Sequence, residues 1–247
     1  MSFQIIQIPI LPLGMVNAHL IVTPQGSVLV DAGLPNTETA VAKTLKKHGL
    51  SFDDIDLIIV THAHIDHAGN ANLLRELTKA PILAHQGDLS HFRGEAPMSF
   101  CPTSLFGRFF LKTGAPKNPY TPFDPDILLT NDNPFALQSY GIQGVIKASP
   151  GHTAGSISVM LDNQEALVGD LIASGILLGG IMRTKHARRP VFEDDPQQVA
   201  LELQRLLDAG MQTFYMGHGG PLTAAQVQRH IYHLRAVAVS NFSPATG

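Results

Sequence analysis

The sequence contains a single cysteine, Cys101, among 247 residues. One thiol cannot form an internal disulfide, and it excludes the zinc sites that are built from several thiolates. Cys101 stands in the segment Ser99-Phe100-Cys101-Pro102, which has no pattern typical of a nucleophile, so we interpret it as a structural or incidental thiol. No serine or cysteine triad is visible elsewhere in the chain.

An excess of charge and long apolar runs are missing as well. The formal net charge is −3, which provides no basic field that would gather nucleic acid, so we expect no nucleic-acid partner. No apolar run approaches the length of a transmembrane helix, and the first residues lack the basic and apolar regions of a secretory signal. We therefore expect no membrane partner and a cytoplasmic location.

Linkers, internal repeats and low-complexity segments are absent, and 247 residues are enough to bury a full core. We predict one domain over residues 1–247. The succession of predicted strands and helices is interrupted by an irregular insertion at about 92–126, which is rich in prolines and aromatic residues. Such segments are often lids or binding loops, and we leave open whether this one forms a substrate mouth, a dimer contact or a cover for the core.

Histidine, in contrast, is plentiful, with 12 residues, and it is concentrated in one stretch, Thr61-His62-Ala63-His64-Ile65-Asp66-His67-Ala68-Gly69. The preceding run, 55–60, has the length and the β-branched content of a buried strand. His62 and His64 are two apart in extended backbone and point the same way, so they can hold one ion. Asp66 and His67 fall where the chain turns into a helix and can face a second ion. A shared cation would offset the cost of burying so many polar groups.

Further ligand-type residues follow other predicted strands. Pro150 and Gly151 let the chain turn sharply so that His152 projects from a strand end, and a hairpin brings Asp170 to the same rim. Asp31 closes an apolar strand and is either a turn-former or a partner of a ligand histidine. Periodicity alone indicates an α/β or α+β fold.

The motif His-x-His-x-Asp-His, followed by Gly151-His152-Thr153-Ala154-Gly155-Ser156, Gly169-Asp170 and Gly217-His218-Gly219-Gly220-Pro221, resembles the signature of the metallo-β-lactamase fold hydrolases. The resemblance implies a four-layer αββα sandwich of two mixed sheets flanked by helices. It also implies two metal ions. The first would be held by His62, His64 and His152, and the second by Asp66, His67 and His218, with Asp170 bridging both. The resemblance favours Asp31 as a hydrogen-bond partner of a ligand histidine.

Five imidazoles and two carboxylates suit zinc and tolerate iron, manganese, cobalt or nickel. Seven ligands are too many for one tetrahedral ion, so we expect two zinc ions. The predicted function is a dinuclear hydrolase that uses a metal-bound hydroxide to cleave a small-molecule ester, lactone or thioester. Asp66 is the predicted catalytic residue, which orients the water and passes a proton to the leaving group.

The substrate is the least determined part of the prediction. The β-lactamases of this fold usually have Cys or Ser where this chain has Asp170, and acyl-homoserine lactonases often have Tyr where it has Ala173. Thioester hydrolases of the glyoxalase II type carry a helical domain after the last histidine, and we expect none here. The basic run at 183–189 is a solvated loop or receives an anionic substrate group.

Several alternatives remain to the predicted small-molecule hydrolase. They are a persulfide dioxygenase with one iron, phosphodiester or β-lactam hydrolysis, and a metal-binding protein without activity. The oligomeric state is open.

Overall fold

The computed structural model describes residues 3–130, 133–175 and 181–240, so both limits of the predicted domain, residues 1 and 247, lie outside the described residues. The strands are β1 (Gln4–Pro9), β2 (Asn17–Val22), β3 (Ser27–Val30), β4 (Ile55–Ile59), β5 (Ile82–His85), β6 (Ile127–Leu129), β7 (Phe135–Ala136), β8 (Gly144–Ala148), β9 (Ile157–Leu161), β10 (Glu165–Leu167), β11 (Ala173–Ser174), β12 (Ala187–Arg188), β13 (Thr213–Tyr215) and β14 (Leu222–Thr223). The helices are α1 (Glu38–Lys47), α2 (Ile65–Ala68), α3 (Ala71–Thr78), α4 (Leu89–Phe92), α5 (Leu105–Lys112), α6 (Pro196–Asp208) and α7 (Ala224–Ser240).

Two six-stranded sheets carry the fold. The first has the order β1-β2-β3-β4-β5-β6, and the second has the order β14-β13-β10-β9-β8-β7. Both are mixed: β1 to β3 pair antiparallel and β3 to β6 parallel, while β10 pairs parallel with β13 and antiparallel with β9. Strands β11 and β12 form a small separate ribbon.

Three apolar clusters define four layers. One cluster packs the outer face of the first sheet against α1 and α3, through residues such as Ile58, Val41 and Leu74. A second lies between the sheets and joins Ile59 to Val159. A third packs the second sheet against α6 and α7. In β4 alternate residues belong to different clusters, which is why this strand is apolar on both faces. The predicted αββα architecture is confirmed.

Local sequence signals account for the ends of two helices. The Asp195 carboxylate accepts hydrogen bonds from the N–H groups of Gln197 and Gln198, and Pro196 occupies the first turn of α6. Helix α3 ends at Thr78, and the following residue, Lys79, has a left-handed backbone with a φ of 63°.

The second sheet ends in the two-residue strand β14, which follows β13 and pairs antiparallel with it. The segment 92–126, expected to be irregular, contains α5, whose N-terminus is capped by the Ser104 hydroxyl. In the described part of the chain, no helix is both long enough and apolar enough to cross a membrane.

Candidate metal centre

The predicted site residues all follow the carboxyl ends of strands that run in one direction within each sheet. Asp31 follows β3 and the histidine motif follows β4 in the first sheet, where these two strands are parallel. In the second sheet the loops after β8, β10 and β13 supply His152, Asp170 and His218. The two sheets meet at this edge, where the Ile157 N–H donates to the Thr61 carbonyl at 3.0 Å. The folding of both sheets therefore brings residues distant in sequence to one rim.

His62, His64 and His152 form a compact triangle of nitrogen atoms. His62 Nε2 lies 3.0 Å from His64 Nδ1, and His152 Nε2 lies 3.1 Å from His62 Nε2 and 3.0 Å from His64 Nδ1. All three side chains are buried. Two ligands of one tetrahedral ion at ~2.0 Å are separated by ~3.3 Å, so this spacing fits a shared cation.

A second set lies beside the first. His218 Nε2 is 3.3 Å from Asp66 Oδ2 and 3.0 Å from Asp170 Oδ2, while His67 Nε2 is 3.4 Å from Asp170 Oδ1. Asp170 Oδ2 is also 3.8 Å from His152 Nε2, so this carboxylate reaches both sets. The structure thus brings all seven predicted ligands together: three groups, His62/His64/His152, His62/His67/Asp170 and Asp66/His67/His218, each place their ligand atoms within 4.8 Å of one another.

The outer nitrogen of three imidazoles has an oxygen partner. His62 Nδ1 lies 3.1 Å from Thr61 Oγ1, His67 Nδ1 lies 2.8 Å from Asp31 Oδ2, and His218 Nδ1 contacts the Met15 carbonyl. A proton on each Nδ1, donated to these oxygens, leaves the Nε2 lone pair free and directed into the cluster. The donor set therefore fits a metal ion in tautomer as well as in spacing.

Asp31 connects two parts of the site. Besides its contact with His67, its carboxylate accepts hydrogen bonds from the Thr61 N–H at 2.8 Å and from the Thr61 hydroxyl at 3.0 Å. Asp31 has a positive φ of 66°, a conformation that costs energy for a residue with a side chain. The three contacts hold the backbone in this conformation and fix the ring of His67.

The first set of histidines is electrically suited to bind a cation. Burial lowers the pKa of His62 well below its usual range, and neighbouring imidazoles add to the effect. Burial likewise lowers the pKa of His152 to about 3 and lowers that of His64. These rings are neutral at physiological pH, which is the state that coordinates metals.

The second set is different because carboxylates surround it. Although burial opposes the change, Asp170 and Asp66 raise the pKa of His218 to about 10, and Asp31 and Asp170 raise the pKa of His67. Burial alone would raise the pKa of Asp66, but His67 and His218 lower it below its usual value. In the metal-free protein two imidazolium groups thus balance the carboxylates, and a bound cation would replace their protons.

Asp88 is a site residue whose role the sequence did not indicate. Its buried carboxylate accepts hydrogen bonds from the Ala63 N–H at 2.9 Å, the Thr153 hydroxyl at 2.9 Å and the Gly155 N–H at 2.8 Å. Asp88 therefore joins the loop that carries His62 and His64 to the loop that carries His152. A Cβ at Gly155 would lie 2.5 Å from Asp88 Cγ, so only glycine permits this contact.

The backbone before His218 also approaches the cluster closely. A Cβ at Gly217 would lie 2.3 Å from His67 Cε1 and 2.5 Å from Asp170 Oδ1. Real Cβ atoms do not come this close to other heavy atoms, so any side chain here would displace a predicted ligand. Of the seven predicted ligands, six are buried and Asp66 is partly exposed, with 24 % of its side chain accessible. Asp66 faces a cavity of about 630 Å³.

The four-layer sandwich with a His/Asp cluster along one edge defines a metallohydrolase type of fold and site. The profile of the metallo-beta-lactamase superfamily matches residues 11–218, and the chain belongs to this superfamily. A probable metallo-hydrolase of Methanocaldococcus jannaschii is 31% identical over 156 residues, which cover 63% of this chain and 66% of that protein, just under two thirds of its length. A probable metallo-hydrolase of Bacillus subtilis is 23% identical over 238 residues, which cover 85% of this chain and 82% of that protein.

Solved structures support the fold independently. A metallo-beta-lactamase family protein from Thermus thermophilus superimposes with a TM-score of 0.67 and 21% identity, covering 96% of this chain and 81% of the other. At this identity the likeness concerns the fold alone.

Proposed function

We propose that this metal-dependent hydrolase of the metallo-beta-lactamase superfamily cleaves a small-molecule ester, lactone or thioester with two zinc ions. In this proposal His62, His64 and His152 would hold one ion, Asp66, His67 and His218 would hold the other, and Asp170 would be shared between the two sets. The observation that carries the proposal is the convergence of these seven side chains in one cluster, with a triangle of nitrogens 3.0–3.1 Å apart. Five of the seven line one cavity. The superfamily membership supports metal dependence and hydrolysis.

The protein's residues and the ions have separate tasks. When bound, such ions act as Lewis acids and lower the pKa of a bound water. In the metal-free protein His67 and His218 lower the pKa of Asp66 against the effect of burial, and in the loaded enzyme a bound cation would favour the ionised carboxylate in their place. The Asp66 carboxylate lines the cavity. It can accept a hydrogen bond from the attacking water, orient it and carry its proton to the departing oxygen or sulfur. The water oxygen bonds to the acyl carbon as the bond to the leaving group breaks.

The test combines metal analysis with a substrate panel. Wild type, Asp66→Asn and His152→Ala are loaded with zinc, dialysed, and measured for metal per chain and for turnover of matched esters, lactones, thioesters, phosphodiesters and a β-lactam. Asp162→Asn, in an exposed turn, is the control. We expect two ions in wild type, less metal in His152→Ala, and in Asp66→Asn a loss of turnover on the order of 10²- to 10⁴-fold that exceeds its loss of metal.

Two results would overturn the proposal. One is full turnover after exhaustive chelation, and the other is a metal-loaded enzyme that is inert on the whole panel. A single iron per chain together with oxygen consumption would instead favour a persulfide dioxygenase.

A further inference from the structure

The cavity in front of the metal centre is apolar apart from the centre itself. Five of its lining residues are predicted ligands: His64, Asp66, His152, Asp170 and His218. Of the other thirteen, twelve are Leu, Val, Ile, Pro, Ala or Phe, and the one polar side chain is Asn118. Within the described ranges no lysine, arginine, serine, threonine or tyrosine lines it. The wall therefore has no charged group to pair with a charged substituent of a substrate.

The aromatic part of this wall is stacked directly on the centre. The ring of Phe100 lies parallel to that of His64, with centroids 5.1 Å apart and an interplanar angle of 12°. Phe192 meets Phe100 edge to face at 4.9 Å, and Phe110 of α5 stacks on Phe192 at 6.2 Å. These three phenylalanine rings extend from His64 along one side of the cavity. A group bound beside the centre would therefore contact hydrocarbon on that side.

We propose that the cavity binds an uncharged, apolar acyl group, so that the enzyme selects substrates whose acyl part carries no charge. The inference rests on the proposed hydrolysis at the His/Asp cluster and adds the chemical class of the substrate. A charged group placed in an apolar cavity without a partner loses its hydration and gains nothing in return, whereas each buried methylene gains from leaving water. The cavity volume of about 630 Å³ is in the usual range for small-molecule sites.

The basic run at 183–189 does not contradict this class. Arg188 and Arg189 line a different cavity of about 520 Å³, and the side chain of Arg189 is paired with Glu193. Neither arginine lines the apolar cavity, although His218 borders both. A substrate whose acyl group occupies the apolar cavity is therefore out of contact with these cations.

The test uses three 4-nitrophenyl esters with six carbons in the acyl chain: the neutral hexanoate, the 6-aminohexanoate with an ammonium terminus, and the adipate monoester with a carboxylate terminus. We expect kcat/KM of the zinc-loaded enzyme to be at least 30-fold higher for the neutral ester than for either charged one. The ammonium ester is the decisive comparison, because an ammonium group cannot bind the metals in place of the ester. Equal or better hydrolysis of the ammonium ester would overturn the inference.

Two neighbouring phenylalanines of α5 give a matched pair of variants. Phe110 lines the cavity, whereas Phe109 is 69 % exposed and is not among the residues that line it. We expect Phe110→Asp to reduce the preference for the neutral ester over the ammonium ester at least tenfold, and Phe109→Asp to leave it within twofold. Equal effects of the two substitutions would show that the cavity wall does not set the preference.

A binding measurement separates this inference from the proposed function. Hexanamide and 6-aminohexanamide are not activated for cleavage, and saturation-transfer NMR reports their contact with the zinc-loaded protein. We expect saturation of hexanamide, its loss in Phe110→Asp, and none for 6-aminohexanamide. If the enzyme hydrolyses no ester but retains this selectivity, the proposed function fails and the apolar site stands. If it hydrolyses esters without the selectivity, only the present inference fails.

Discussion

Replacing Asp88 should weaken the metal centre although Asp88 is not among the predicted ligands. In Asp88→Asn an NH₂ group replaces one carboxylate oxygen. This NH₂ group must face either the Gly155 N–H or the Ala63 N–H, so two hydrogen-bond donors point at each other. One buried N–H then lacks an acceptor, which costs about 1–3 kcal/mol. In Asp88→Ala both N–H groups lose their acceptor, while the Thr153 hydroxyl keeps Ser156 at 2.9 Å, so we expect a loss of roughly 2–6 kcal/mol.

The affected loops carry His62, His64 and His152. Removal of an outer partner typically costs about 10- to 100-fold in metal affinity, and we expect a loss of this size for Asp88→Asn. Urea unfolding of the chelated protein gives the change in the free energy of unfolding, and competition with a chromophoric chelator gives the zinc affinity.

Asp126→Asn is the matched control. Like Asp88, Asp126 accepts a hydrogen bond from a backbone N–H, that of Ile82 at 2.8 Å. Ile82 begins β5, at the end of the strand that is remote from Asp88 and the metal centre. Asp126→Asn should lower stability without changing zinc affinity. The reasoning would be refuted if Asp88→Asn folded normally and bound zinc as tightly as wild type.

Three further predictions concern neighbouring groups. Asp31→Ala removes the acceptor of His67 Nδ1, so zinc titration should show about 10- to 100-fold weaker binding at one of two sites; unchanged affinity at both would contradict this role. In the metal-free protein the pKa of His218 is raised from 6.5 to about 10, so its stabilising contribution is complete below pH 6.5 and is lost as pH rises to 10. Zinc affinity, which requires the neutral ring, should rise through the same window, and a flat affinity in buffered competition titrations would refute the assignment. Burial raises the pKa of Glu193 from 4.5 to about 7 against the influence of Arg189, so wild type should lose stability between these pH values. At pH 8 the free energy of unfolding of Glu193→Gln, measured in urea, should therefore exceed that of wild type by on the order of 2 to 3 kcal/mol. At pH 4.5 it should not exceed it.

Part of the ligand cluster could be predicted from local signals, whereas periodicity indicated only an α/β or α+β fold and the four-layer sandwich was implied by the resemblance to a family. The spacing of His62, His64, Asp66 and His67 lies within six residues, and the apolar run before them identifies the strand that ends there. Pro150 and Gly151 indicated that His152 projects from a strand end, but the resemblance to a family was needed to assign His152 and His218 to the cluster. Their distances from the motif in sequence carry no information about their distances in space.

Asp88 and Met15 show what the sequence does not reveal. Asp88 acts on backbone N–H groups 25 and 67 residues away, and the partner of His218 Nδ1 is a backbone carbonyl 203 residues away. Backbone groups are present at every position, so residue types give no sign of which one will be used. Only Gly87 and Gly155, which allow the two loops to approach, leave a trace in the sequence.

The segment 92–126 contributes both to the core and to the wall of the cavity. Phe92 and Phe123 are buried and contact each other in the core beside α3. Phe100 and Phe110 instead line the cavity. Helix α5 was not predicted because aromatic residues favour helices weakly and prolines flank the segment, yet Ser104 as a cap and the four-residue spacing of Phe106 and Phe110 were available signals.

The metal centre and the cavity wall are supplied by different parts of the chain. The predicted ligands follow strand ends whose positions are set by packing between the sheets and by hydrogen bonds such as that from the Gly217 N–H to the Gly169 carbonyl at 3.1 Å. Much of the apolar wall comes from residues 100–119, which contribute no strand to either large sheet. A change in this segment leaves the packing between the sheets intact, so the wall can vary while the ligands stay fixed. The class of substrate therefore has to be inferred from the composition of the wall, because the seven predicted ligands indicate metal-dependent hydrolysis and do not specify what is cleaved.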